Sequence, residues 1–278
     1  MTTVSAAVAP SPVTGSVRAA ARSPFIVSPV YDRFFFIFQP LVALALGVSL
    51  SFTSLARHHF IFNGQFRSFV TILTGTATMS HLVIVFFRSH ANREIFRRHP
   101  KRFLWAPALL FGAMALSSWM LVAVFVLSVW WDVYHSSLQT FGFARIYDAK
   151  LGNDVNAGRQ WDRWLNLFLY LGPVLAGASL ADHAVHFRRF ADVGSAFFTY
   201  VPAFAQNHQR YLTWAVLATG VPFLVLYVLH YRDLERKGYR VSREKTLILA
   251  CTGLCSIYTW GFNSFGQAFF IMNFFHAV

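Results

Sequence analysis

From Phe103 to Ile146 the chain runs through an apolar stretch about twice as long as the ~20 residues that one helical membrane crossing needs. A polar stripe, rather than a loop, interrupts it between Trp130 and Asp148. At helical spacing Asp132, His135, Gln139 and Gly142 fall at i, i+3, i+7 and i+10, which places a carboxylate, an imidazole and an amide on one helix face. In water such a stripe is the solvated side of an amphipathic helix. Its flanks, Leu121 to Val129 and Phe141 to Ile146, are apolar, so the rest of the chain must decide the medium.

Composition decides for lipid. The chain is 56% hydrophobic and 13% charged, against roughly 25% charged in a typical soluble domain. Aromatic residues make up 18%, including 31 Phe, which suits lipid-facing side chains with Trp and Tyr at the interfaces. The net charge of +13 resides in short loops between apolar runs, the pattern of cytoplasmic connections, and this argues against a nucleic-acid partner. Cys251 and Cys255 lie four apart inside an apolar run and do not indicate a disulfide framework.

Residues 1–30, rich in Ala, Ser, Val, Pro and Thr, read as a disordered tail without the apolar core of a cleaved signal. Residues 31–278 form one transmembrane domain. Apolar runs occur at Phe34 to Leu55, Ser68 to Phe87, Phe103 to Ile146, Leu165 to Val185, Tyr211 to Leu229 and Thr246 to Val278, and the third and last are long enough for two crossings each. Loop 88–102, with six basic residues, and loop 232–245, with Arg232, Arg236, Lys237, Arg240, Arg243 and Lys245, should share the cytoplasmic side. An even number of crossings must then separate them, so residues 103–146 should make two. The stretch around His135 becomes an inward-running helix of its own. This topology puts the N-terminus inside and most of the 24 Lys and Arg on the cytoplasmic face, with 144–163 as a further cytoplasmic loop and 56–67 and 187–210 as outer loops. The expected architecture is an all-α polytopic bundle of seven or eight transmembrane helices in a bacterial inner membrane. Its last span ends on Phe274-Phe275-His276-Ala277-Val278 without a polar flank, so the chain is expected to be truncated within a helix.

Polar groups inside lipid are costly and mark function by default. Asp132 and Asp182 are the only carboxylates in or at the edge of these spans, and every Glu lies in a basic loop, so a buried metal would rely on histidine. Thr71, Thr74, Thr78 and His81 form a stripe on the second span that continues to Arg88. The fifth ends with Asp182, His183 and His186, where Asp182 can orient His186 at i+4. The last carries Gln267, Asn273 and His276. Imidazoles from separate helices suit Fe, Zn or Cu. The same side chains also serve simply to glue helices together, and both readings stay open at this point. By depth along their spans His81, His135 and His276 should meet in one ligand sphere, with His183 and His186 nearer the outer end. His58, His59, His90, His99 and His208 fall in loops, where they read as solvated.

The segment His135-x3-Gln139-x2-Gly142-x4-Tyr147 resembles a His-x3-Gln-x-(Tyr/Phe)-Gly motif of polytopic bacterial membrane proteins. His81 before the Arg93 to Pro100 loop, and Asn273-x2-His276, are similar to the rest of that pattern. Over residues 75–278 the arrangement is similar in style to the Brp/Blh membrane dioxygenases that cleave β-carotene. That resemblance implies a non-haem iron held by single histidines on separate helices. The His-x3-His and His-x2-His-His clusters of membrane desaturases are absent, and only His183-x2-His186 comes near them.

The resulting expectation is an iron-dependent membrane oxygenase or oxidoreductase whose lipophilic substrate arrives from the surrounding membrane lipids. His81, His135 and His276 would be ligands, His183 and His186 further candidates, and Asp132, Gln139 and Tyr147 proton-handling or orienting groups. A haem b electron carrier using two of these histidines, or a transporter or channel using the polar stripes as a pathway, with spans broken at Pro173 and Pro222, are the alternatives.

Overall fold

A computed structural model describes residues 23–276 except 57, 63, 264–267, 269, 273 and 275. Most of the expected tail, residues 1–22, lies outside the described residues, as do Gln267 and Asn273. The described residues are all-α apart from one short hairpin.

Helix starts follow local capping chemistry. Ser28 accepts a hydrogen bond from the Tyr31 amide and Pro29 occupies the first turn of α1 (Pro29–Asp32), which runs through a π turn, Arg33–Ile37, into α2 (Gln39–Ser51). Strands β1 (His59–Phe62) and β2 (Gln65–Ser68) pair antiparallel, with Phe62 opposite Gln65, in the stretch expected to be an outer loop. Ser68 caps α3 (Phe69–Ser89), and Asn92 caps the short basic α4 (Arg93–Arg98).

The long apolar run does divide in two. Ser117 adopts an extended backbone, ends α5 (Pro100–Leu116) and caps α6 (Ser118–Lys150) by accepting from the Met120 amide at 3.3 Å. The stretch around His135 thus lies on a helix distinct from α5, as expected. It is the second half of a 33-residue helix about 50 Å long, longer than the roughly 30 Å hydrocarbon core. Next come α7 (Arg159–Ala176), α8 (Leu180–Val185), two 3-10 segments (His186–Val193 and Ala196–Tyr200), α9 (Val201–Arg236) and α10 (Arg243–Phe262). The described residues between 268 and 276 are helical.

Neither Pro173 nor Pro222 ends its helix. The break comes four residues after Pro173. There Gly177 and Ala178 pass so close to Gly261 that a Cβ on Gly177 would overlap the α10 backbone, and α8 leaves at 85° to α7. Ala178 N donates to Gly261 O at 2.9 Å and Ser179 Oγ to Trp260 O at 2.9 Å, so the broken backbone is satisfied.

Among the described residues three helices are long and apolar enough to cross a membrane: Phe69–Ser89, Ser118–Lys150 and the continuous stretch Ala196–Arg236. Two bent pairs, Pro29–Ile37 with Gln39–Ser51 and Arg159–Ala176 with Leu180–Val193, bring the number to five. This fits an integral membrane protein and is fewer than seven or eight. The shortfall has local causes, since α5 has 17 residues and α10 opens on Arg243, Glu244 and Lys245. Outward faces match lipid contact: Leu82, Val83, Ile84 and Phe87 on α3, and Val221, Leu224, Val225 and Leu229 on α9, are exposed.

The core packs Ala43 of α2, Val133 of α6, Tyr170 and Val174 of α7, and Cys255 and Trp260 of α10 around Phe270, Ile271 and Met272 of the final segment. A second centre of packing is ionic and overturns the expectation that the flanking charges are loop residues. Arg145 and Asp148 are the last turns of α6, Asp162 the first of α7, and Lys245 the first of α10. The loops shrink to 151–158 and 237–242. Asp148, Asp162 and Lys245 are at most 1% exposed, and Lys245 Nζ donates to Asp148 Oδ2 at 2.8 Å and to Asp162 at 2.8–2.9 Å. Arg145 Nη1 reaches Asp162 Oδ2 at 2.7 Å, and the Tyr227 and Tyr231 hydroxyls each donate to Asp162 Oδ1 at 2.8 Å. Two cations meet two carboxylates, so the cluster is neutral and closely hydrogen-bonded, the condition under which buried charge is tolerated. Burial pushes the Tyr239 phenol well above its usual range, and its hydrogen bond to Asp148 adds to this, so it remains a donor.

Candidate metal centre

Three imidazoles from distant parts of the chain converge. His81 lies in the second half of α3, His135 in the second half of α6 and His276 at the end of the final helical segment. Ring centroids of His81 and His276 are 4.8 Å apart, and those of His135 and His276 5.0 Å. One potential ligand atom from each ring lies within 4.8 Å of those of the other two. Two imidazole nitrogens on one ion, each at about 2.1 Å, are at most ~4.2 Å apart, so a small side-chain rotation closes the group onto a common centre.

Burial grades across the group. His276 is 7% exposed, His81 half-buried and His135 exposed, which leaves the cluster open on the α6 side. His276 Nδ1 is buried and has no hydrogen-bond partner among the described residues, an arrangement that costs about 1–3 kcal/mol unless something binds there. An orphaned imidazole nitrogen beside two more imidazoles fits a transition metal. Neutral histidine is a ligand of Fe, Zn and Cu, and among the described residues no thiolate or carboxylate belongs to the group.

Beside the group lies a cavity of about 200 Å³. Its walls are His81, Ile84, Val85 and Arg88 of α3, Gln139, Thr140 and Phe143 of α6, Phe35, Phe36 and Gln39 near the start of the chain, Ile248 of α10, and His276. Of the stripe read from the sequence, His135 joins the imidazole group and Gln139, one turn on, lines the cavity. Asp132 is half-buried one turn before His135 and is not among the lining residues, nor is Gly142.

Other candidates lie elsewhere. Tyr147 is fully buried and its hydroxyl donates to Asp32 Oδ2 at 3.1 Å, while Asp32 also accepts from the amides of Val27 and Ser28. It ties the start of the described chain to α6 and does not line the cavity. His183 and His186 do not join the imidazole group. His183 is 1% exposed, its Nδ1 is 2.8 Å from Ser179 O, and its ring sits between Trp130 and Trp260 at 5.5 and 5.0 Å. His186 opens the 3-10 segment beyond α8 and packs edge-on to Phe125. The threonines of the α3 stripe serve the helix itself. Thr74 Oγ1 donates to Val70 O at 2.8 Å, and Thr71 Oγ1 bonds the capping Ser68 hydroxyl. Cys251 and Cys255 are both buried free thiols.

Sequence reasoning passed over Gln39 and left Arg88 without a role at the site. Arg88 follows His81 at i+7, on the same face of α3, and that spacing was the available signal. Gln39 is an isolated amide in an apolar run and is 3% exposed.

No protein-family model, no curated protein and no solved structure matches the chain. Its function is therefore read from the site itself.

Proposed function

We propose that the chain is an integral protein of a bacterial inner membrane in which His81, His135 and His276 hold one metal ion, with non-haem iron as the ion and a lipophilic substrate oxidised beside it. The observation that carries this reading is the convergence of three imidazoles, one with an orphaned buried nitrogen, two of which, His81 and His276, line a cavity among lipid-facing helices. The likeness of its motifs to those of the β-carotene-cleaving dioxygenases points to the same chemistry.

Iron held by three imidazoles supplies activation of O2. The remaining work belongs to the chain. Phe35, Phe36 and Phe143 keep water from the cavity, Gln39 and Gln139 offer amide donors and acceptors to a bound molecule, and the exposed Ile84 and Val85 form an apolar approach from the bilayer. The His-lined opening on the α6 side gives the centre a second approach.

The topology that goes with this has a cytoplasmic N-terminus and seven or eight crossings. Counting α5, α6, α7 with α8, and α9 as crossings gives four between loops 88–102 and 237–242, the even number that their shared basic character demands. Cysteines placed at Arg98 and Lys237 label from the same face on this account, and labelling from opposite faces would overturn it.

A haem b site fits less well. Three rings crowd one point, and 200 Å³ is below the roughly 300–1,000 Å³ of ordinary small-molecule pockets. A transporter reading draws on the 85° break after α7, because half-helices often frame transport sites. Here the break is packed on Gly261, and the Ala178 and Ser179 amides are already bonded to Gly261 O and Trp260 O. Aerobic incubation of the iron-loaded protein in lipid nanodiscs tests the oxygenase reading. O2 uptake that depends on an added lipophilic substrate supports it, and a Soret band in the purified protein would replace it with the haem one.

A further inference from the structure

The cavity beside the three histidines has a charge that its own walls do not balance. Among the described residues of its lining Arg88 is the cation and none is acidic. Among the described residues Arg88 makes no ion pair and no side-chain hydrogen bond, and neither does the amide of Gln39 or Gln139. The covered cations of the ionic cluster, by contrast, are paired. Its buried Lys245 and the partly covered Arg145 are both matched to carboxylates at 2.7–2.9 Å.

Arg88 is exposed at the rim rather than buried, and an anion that enters with a ligand meets it as a cation without an ion-pair partner among the described residues. The guanidinium presents a planar fork of donors that fits a carboxylate in bidentate fashion, and two amides can complete the oxygen shell.

Position sets the rest of the ligand. Arg88 follows His81 by seven residues, about 10 Å along α3, and its side chain is exposed, so it stands at the outer mouth of the cavity. A volume of about 200 Å³ is too small for a whole lipid. The walls between mouth and centre are Ile84, Val85, Phe35, Phe36 and Phe143, of which Ile84, Val85 and Phe35 are also exposed on the outside at 55%, 43% and 39%. Apolar chain therefore has a route out of the cavity between α3 and the Phe35 turn.

We infer that this site takes a lipophilic carboxylic acid, its carboxylate held by Arg88 with Gln39 and Gln139, and its hydrocarbon chain lying along Ile84, Val85 and the Phe35–Phe36 turn beside the histidine group. The inference deepens the metal-oxygenase reading and rests on it for the chemistry, but not for the binding.

The test is photolabelling of the full chain in phosphatidylcholine nanodiscs by a diazirine analogue of oleate, with labelled residues mapped by peptide mass spectrometry. Labels are expected on residues of the 35–39 and 81–88 segments. Excess oleate should compete, whereas oleyl alcohol and the small soluble acid 2-oxoglutarate should not. Arg88→Gln is expected to reduce site labelling about tenfold or more, and Arg88→Lys to restore part of it. Metal content of Arg88→Gln should equal that of the wild type, which shows that the variant is folded and its histidine group intact. Equal labelling of wild type and Arg88→Gln, or equal competition by oleyl alcohol, would reduce Arg88 to a snorkelling helix-end cation and overturn the inference. Competition by 2-oxoglutarate alone would overturn the lipophilic ligand. Absence of metal from the wild type with the labelling pattern intact would remove the metal reading and leave the carboxylate site standing.

Discussion

The imidazole rings of His81 and His276 lie 4.8 Å apart although they come from the third helix and from the last described residue of the chain. What holds them together is the packing of the final helical segment on α2. Ile271 lies so close to Gly47 that a Cβ there would overlap its side chain, and Phe270, Ile271 and Met272 are each at most 4% exposed.

Gly47→Leu should therefore displace the segment that carries His276. Overpacking of this kind costs about 1–3 kcal/mol, and the metal affinity of the histidine group should fall with it. Thermal unfolding together with metal content checks this. A variant with lowered stability and unchanged metal content would show that His276 is not seated through Gly47.

Lys245 is the cation on which two buried carboxylates depend. Lys245→Met leaves Asp148 and Asp162 sharing Arg145 alone, and breaking a buried pair on one side costs about 3–5 kcal/mol. Adding Asp148→Asn restores neutrality, so the double variant should be more stable than Lys245→Met. Unfolding midpoints in detergent measure both. A single variant as stable as the wild type would mean that the cluster contributes nothing to the fold.

Part of this architecture was legible in the chain and part was not. Apolar run lengths and the parity of basic loops required a division between Phe103 and Ile146, and Ser117 makes it. Equal depth along three spans singled out His81, His135 and His276, the three rings that approach one another. The ionic cluster was hidden because hydropathy treats every charge as a boundary. Arg145, Asp148, Asp162 and Lys245 were assigned to loops, whereas neutralisation by partners distant in sequence lets helices α6, α7 and α10 run through them. Tyr147 looked like a site residue because it follows Gln139 on the same helix, but α6 turns that side chain toward Asp32. Proline suggested where spans break, yet Pro173 and Pro222 are accommodated, and the break at Gly177 reflects a backbone contact with α10 that only tertiary structure reveals.

Tyr147→Phe separates these roles. Loss of the hydroxyl leaves the buried Asp32 short of one donor, and the cost should be about 1–2 kcal/mol in stability. Metal content should not change, since Tyr147 does not line the cavity. Loss of metal at unchanged stability would return Tyr147 to the centre.

Metal analysis of the purified protein, wild type beside His135→Ala, tests the central claim most directly. His135 is exposed, so its truncation leaves the core packing undisturbed while removing one of three imidazoles. The expected result is close to one transition-metal ion per chain in the wild type and an affinity about tenfold or more lower in the variant, because even altering a partner behind a ligand costs 10–100-fold. A wild type without metal, or a His135→Ala variant that keeps the full amount, would contradict a metal centre and leave His81, His135 and His276 as a contact between helices.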